Sequence, residues 1–125
     1  TADYAVRLQA TTGTLTLTGA FTASADITAY SDAKLKTNVK TIDNALELVG
    51  KMRGVSYDWI ESGSASVGVI AQEMKEALPQ VVKYDAATDV HSVAYGNIVG
   101  VLIEAVKAQQ VQIEELSAQL AQLKK

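Results

Sequence analysis

The chain has no cysteine, one proline, one histidine, one tryptophan and one phenylalanine in 125 residues. Without cysteine there is no disulfide, no thiol nucleophile and no thiolate metal site, and the redox compartment is left open. The single histidine, His91, gives no basis for a Ser-His-Asp constellation and reads as a surface or structural residue. No run approaches ~18 consecutive apolar residues, so no apolar helix spans a membrane. The net charge of −3 offers no electrostatic reason to expect nucleic acid as a partner. There is no metal-ligand cluster, no paired-carboxylate spacing typical of a glycosidase and no glycine-rich phosphate cradle, so neither metal nor cofactor is expected.

Hydrophobic residues make up 48% of the chain but aromatics only 6%, so the apolar content is mostly Ala, Val, Leu and Ile. This length is one domain's worth and would bury roughly two-thirds of its unfolded surface as a globule. Much of it is instead committed to extended β structure and one helix, which leaves apolar stripes of a monomer in water. The amino end lacks the basic-then-apolar layout of a signal peptide. It opens mid-pattern at Thr1-Ala2-Asp3-Tyr4 and reads as a piece of something longer.

The chain divides into three zones. In residues 1–30, Thr14-Leu15-Thr16-Leu17-Thr18 alternates with the period of a half-buried strand, bracketed by Gly13 and Gly19. Residues 21–23 and 25–30 continue this short-strand style. Such strands are too few and too small-sided to form a sandwich alone. Intertwined with copies of themselves they make a fibrous β stalk; the alternative is an edge hairpin of an ordinary domain.

Residues 31–95 are mixed. The spacing of Ile42, Ala45, Leu46 and Val49 predicts a helix over 41–49, with Thr41 as cap and Gly50 as stop. Residues 55–60 and 67–70 read as a hairpin, with Tyr57 and Trp59 as core residues. A short helix over 71–78 ends at Pro79, and residues 81–84 and 91–95 pair around an Asp85–Asp89 turn. The order is α+β with no βαβ repeat.

The last zone, from about 97 to 125, carries heptads. Val99, Val106, Ile113 and Leu120 fall at a, and Leu102, Gln109, Leu116 and Leu123 at d, seven of eight being apolar. Gln109 is the one polar layer, a device for register or strand number at some cost in stability. Gln112 and Gln119 at g, with Gln110 and Ser117 at e, leave no charge code for a foreign partner, which favours self-association. Ile98 and Ile103 widen the stripe, consistent with three strands or with packing on the middle zone. The competing reading is one amphipathic helix on a globular core, and its weakness is that nothing remains to cover 113–123.

The seam between the first two zones is Ser31-Asp32-Ala33-Lys34-Leu35-Lys36-Thr37-Asn38-Val39. A serine is a poor nucleophile until a base removes its proton, and a lysine can serve once burial disfavours its charged form. Lys36 follows Leu35 and is the candidate; Lys34 is the competitor. Five residues apart, Ser31 and Lys36 face about 140° apart on a helix and lie on opposite sides of a strand. They meet only if the chain bends between them, and spacing alone makes Ser-x-x-x-x-Lys a very weak motif.

Beyond the seam, ordered motifs run through the middle and last zones: Ala45-Leu46, Arg53-Gly54-Val55-Ser56-Tyr57-Asp58-Trp59, Val67-Gly68-Val69-Ile70-Ala71-Gln72-Glu73, Leu78-Pro79-Gln80-Val81-Val82, Val93-Ala94-Tyr95 and Leu102-Ile103-Glu104-Ala105-Val106-Lys107. With the seam, these resemble the intramolecular chaperone domain of the endosialidase type, the peptidase S74 domain. That domain closes phage tailspikes, tail fibres and neck appendages and occurs in a few eukaryotic membrane-tethered transcription factors. Lys34 stands where arginine is usual and Val39 where isoleucine is common; neither departure touches Ser31 or Lys36.

The resemblance implies a homotrimer. Residues 1–30 are then the end of an intertwined, triple-β-helix-like stalk, and 31–125 a removable chaperone with a small helix and hairpin region and a trimeric coiled-coil helix. It implies that the chaperone registers the stalk and then cuts itself off at Tyr30–Ser31, with Ser31 as nucleophile and Lys36 as base. Asp32 would orient Lys36 or cap a turn. Gln72 and Glu73 would support the site or the trimer contact, or be polar positions on a short helix. The expected setting is a precursor of a phage virion tail or appendage, assembled in the host cytoplasm. Its expected partners are its own copies and the upstream stalk. The alternative is a trimeric fibre tip that never cuts and serves as a structural or receptor-binding domain.

Overall fold

The computed structural model describes Leu8 and residues 13–125. The part of the expected stalk that falls on 1–7 and 9–12 lies outside the described residues. The chain forms two compact units, Thr1–Val39 and Lys40–Lys125.

In the first unit, residues 13–30 form neither strand nor helix. A strand needs a neighbour to take its N–H and C=O groups, and the pairing expected here is with other copies. Gly13 (φ 87°) and Gly19 (φ 103°) take the left-handed conformations that bracket the alternating Thr14–Thr18 stretch. One 3-10 turn, Ala33–Leu35, follows the seam serine.

The second unit is α+β. Its elements run α1 (Ala45–Gly50), β1 (Val55–Asp58), β2 (Ala65–Gly68), α2 (Ala71–Ala77), β3 (Val82–Asp85), β4 (Val90–Val93) and α3 (Ile98–Leu123). The strands form two separate antiparallel hairpins, β1 with β2 and β3 with β4. The first helix differs from the expected one: Thr41 does not cap it, and Gly50 is its last residue rather than its stop. The reason is Asn44, which sits in the left-handed region (φ 55°) where a short polar side chain is tolerated, so no helical register runs through it.

In the first hairpin Val55 and Tyr57 are half-buried while Ser56 and Asp58 are exposed, the alternation read from the sequence. Trp59 corrects the expectation of a core residue: it lies past the strand end and is 57% exposed, its ring edge-on to Tyr57 at 5.2 Å. Beside it Ile60 is fully exposed at the tip. Gly68 is needed for a close approach, because a Cβ there would lie 2.6 Å from the Tyr95 hydroxyl. That hydroxyl accepts the Val69 N–H at 3.2 Å and joins the hairpin to the turn before α3.

Two small cores hold this unit. Met74 and Ala77 of α2 are buried with Val81, whose carbonyl accepts the Ala94 N–H at 2.7 Å beside the second hairpin. The other core joins α1 to α3 through Ala45, Val101 and Ala105, flanked by Leu46, Leu48, Val49, Met52 and Leu78. Between the β1 strand and α2, Arg53 grips Glu73 with two parallel hydrogen bonds, Nε to Oε1 and Nη2 to Oε2, each 2.8 Å. Bidentate geometry makes this the best-defined ion pair among the described residues.

The buried and heptad faces of α3 are different stripes. Val101 and Ala105 point at α1, whereas Val99, Leu102, Val106, Ile113, Leu116, Leu120 and Leu123 are all exposed, and so is every residue from 109 to 125.

Val101 is 1% exposed, so Val101→Ala removes two buried methyl groups and should lower unfolding stability by about 2 kcal/mol in chemical denaturation. The ion pair gives a pH-dependent test. The hydrogen bonds from Arg53 hold the Glu73 carboxyl below its ordinary value of 4.5. A lowered folded value means the contribution is complete above 4.5 and fades as pH falls through the folded value. Glu73→Gln should therefore unfold more easily than the parent near neutral pH, with the two converging in acid.

Candidate functional site

The seam residues lie together in the first unit. Asp32 is extended (φ −65°, ψ 135°), the 3-10 turn Ala33–Leu35 follows, and Lys36 is extended again (φ −123°, ψ 148°). A single turn inserted between two extended residues supplies the bend that neither helix nor strand provides. It brings the Lys36 Nζ to 2.7 Å from the Ser31 Oγ, with the ammonium donating to the hydroxyl. The bend is present within one chain, so the two side chains meet without a second copy. The competitor does not reach the serine: Lys34 Nζ lies 3.7 Å from the Asp32 carboxylate instead.

The turn is held by its own short bonds. Asp32 Oδ1 accepts the Lys34 N–H at 2.9 Å, Asp32 O accepts the Leu35 N–H at 3.1 Å, and Ala33 O accepts the Lys36 N–H at 3.1 Å. Everything here is open to solvent: Tyr30 is 95% exposed, and Ser31, Asp32 and Lys36 are exposed too. Lysine loses its proton more readily when water is excluded. The geometry for proton transfer is therefore present while the dry surroundings are not.

Gln72 and Glu73 lie on α2 in the second unit. Glu73 is engaged by Arg53, and Gln72 Nε2 sits 3.4 Å from the His91 ring. Arg53 belongs to a motif read from the sequence, but its partner was not legible there, since 20 residues separate the two. The heptad residues stay together on the uncovered face of α3. Among the described residues no group of acidic, histidine or cysteine side chains has the arrangement of a metal site, and no helix is long and apolar enough to cross a membrane.

A protein-family comparison matches residues 31–83 to Peptidase_S74, described as chaperone of endosialidase. The match opens at Ser31 and contains the turn, Lys36, Asp32, Gln72 and Glu73. Among curated proteins, the chain is 35% identical over 98 residues to the long tail fiber protein Gp37 of Enterobacteria phage K3, covering 72% of this chain and 8% of that protein. The protein of the same name from Enterobacteria phage T2 is likewise 35% identical over 98 residues, covering 72% of this chain and 7% of its own length. That of Salmonella phage S16 is 29% identical over 109 residues, covering 79% of this chain and 15% of its own length. The chain thus spans only a small part of these relatives. The matched segment runs from the seam serine through the first hairpin and α2 to the start of β3, and over this segment the chain is similar to the chaperone of endosialidase family, which together with the tail fibre relatives supports a phage tail fibre chaperone-type domain.

Proposed function

We propose that this chain is the terminal chaperone of a phage fibre, which trimerises, registers the stalk that precedes it and then releases itself by one cut at Tyr30–Ser31. The observation that carries the cutting step is the 2.7 Å contact between Lys36 Nζ and Ser31 Oγ at the start of the family match. The trimerising step is supported by the apolar heptad face of α3, which is left exposed among the described residues. Three copies meeting along this face bury Val99, Leu102, Val106, Ile113, Leu116, Leu120 and Leu123 and stack the Gln109 residues in one polar layer.

Registration answers a physical difficulty. A one-residue slip turns every side chain of a strand to the wrong face, and non-local pairing between chains is slow. Joining the ends raises the local concentration of strands and aligns them. Residues 13–30, which form no strand among the described residues, are the segment that gains neighbours this way.

In the cut, neutral Lys36 takes the proton of the Ser31 hydroxyl, and the oxygen attacks the Tyr30 carbonyl carbon. The resulting oxyanion collapses, the Tyr30–Ser31 C–N bond breaks, and the nitrogen takes up a proton. This leaves Tyr30 as an ester on Ser31 Oγ and the Ser31 amine free, and water then hydrolyses the ester to a Tyr30 carboxylate and the Ser31 hydroxyl. In the single chain the pair is assembled but wet. Assembly covers the seam and favours the neutral amine, so cutting follows association. Release makes the product kinetically stable, because the freed chaperone no longer tethers the strands. The parent is then a virion tail or appendage precursor assembled in the host cytoplasm.

The exposure of both Ser31 and Lys36 favours a second reading, a permanent trimeric tip that never cuts. Intact-mass analysis of freshly expressed protein separates the two. The parent should yield a fragment of the 95 residues from Ser31 to Lys125, and Ser31→Ala and Lys36→Ala should each remain whole, with cleavage down by at least about 10³-fold. Full-length protein in all three would leave the permanent tip as the function.

A further inference from the structure

The dyad depends on a turn whose own support is a third side chain. Asp32 stands directly between Ser31 and the 3-10 turn, at the position that caps a helix. Its Oδ1 takes the otherwise unpaired Lys34 N–H at 2.9 Å, while its backbone oxygen takes the Leu35 N–H at 3.1 Å. Both ends of the turn carry a member of the dyad, Ser31 just before the cap and Lys36 just after the last residue. Unwinding the turn returns these side chains to opposite sides of an extended strand.

Asp32 is also turned away from the base. Oδ2 lies 3.7 Å from Lys34 Nζ, and no hydrogen bond or ion pair joins the carboxylate to Lys36. Its charge is spent on the lysine that does not reach the serine. Of the two roles open to this residue from the sequence, the geometry favours capping over orientation of the base.

We propose that Asp32 is a positioning residue for self-cleavage: its carboxylate oxygen caps the Ala33–Leu35 turn, and the turn holds Lys36 against Ser31. The inference rests on the self-cleavage reading for its consequence and on the cap for its geometry. What the site requires at position 32 is an acceptor oxygen, not a negative charge. Asparagine supplies the same oxygen and caps about as well as aspartate, whereas alanine supplies none.

The test compares the parent, Asp32→Asn and Asp32→Ala by cleavage time course across pH. In parallel, the temperature coefficient of the Lys34 amide proton is measured by NMR in the uncut Ser31→Ala background, with and without each change. Asp32→Asn should cut within about threefold of the parent with an unmoved rate–pH profile, and Asp32→Ala should slow about tenfold or more. The Lys34 amide should keep its hydrogen-bonded coefficient with asparagine and lose it with alanine. An asparagine variant as slow as alanine, or one whose rate–pH profile moves by a unit, would show that the charge acts on Lys36 and overturn the proposal. An alanine variant as fast as the parent would overturn it as well. If the parent does not cut at all, the self-cleavage reading fails and the positioning role falls with it; the amide measurement then reports separately whether Asp32 caps the turn.

Discussion

The final helix has two apolar stripes, and among the described residues only one of them is covered. Val101 and Ala105 are spent on α1, in a core too small to shelter anything else. The other face carries an apolar residue at nearly every third or fourth position from Val99 to Leu123, and from Gln109 onward no residue is even half-buried. Burial of apolar area is the main favourable term in association, and a stripe this long and regular is costly to leave in water. The proposed assembly depends on that imbalance. It gives the chain a reason to associate, and the proposed trimer is built on it.

The seam shows how chemistry can be joined to that association without a large rearrangement. Ser31 and Lys36 already touch in one chain, held by a turn of three residues. Geometry is therefore not the quantity that assembly has to supply. What the proposed assembly would have to supply is the exclusion of water, because both side chains are exposed in the single chain. Desolvation favours the neutral amine with no movement of the backbone. Under the proposed function, a cut governed by dryness rather than by shape would stay silent until neighbours arrive, as a reaction performed once per chain requires.

The sequence conveyed the architecture through its periodicities. The heptads of α3, the alternation of Val55 to Asp58 and the break at Pro79 all appear where their patterns placed them. Local signals misled where a backbone conformation was decided by one residue. Thr41 has the chemistry of a cap, yet Asn44 in the left-handed region sets the true start of α1. Trp59, expected in the core, falls past the strand end and is exposed. The buried stripe Val101 and Ala105 adjoins the heptad stripe and has too few residues to carry a periodic signal of its own. The Ser31 and Lys36 contact was nameable only through resemblance, because its bend rests on Asp32 and on backbone bonds that spacing does not encode. The Arg53 and Glu73 clamp was out of reach for the same reason, its partners being distant in sequence.

The most direct test of the link between assembly and cutting is the concentration dependence of cleavage. Unfolded parent chain is diluted into native buffer over a range spanning the association midpoint, and trimer by native mass spectrometry is recorded alongside the fragment beginning at Ser31. If assembly supplies the dry site, the initial rate of cutting follows the trimer fraction and vanishes where only single chains are present. Cutting at an undiminished rate in dilute, monomeric protein would contradict the account, because the exposed pair would then be sufficient by itself.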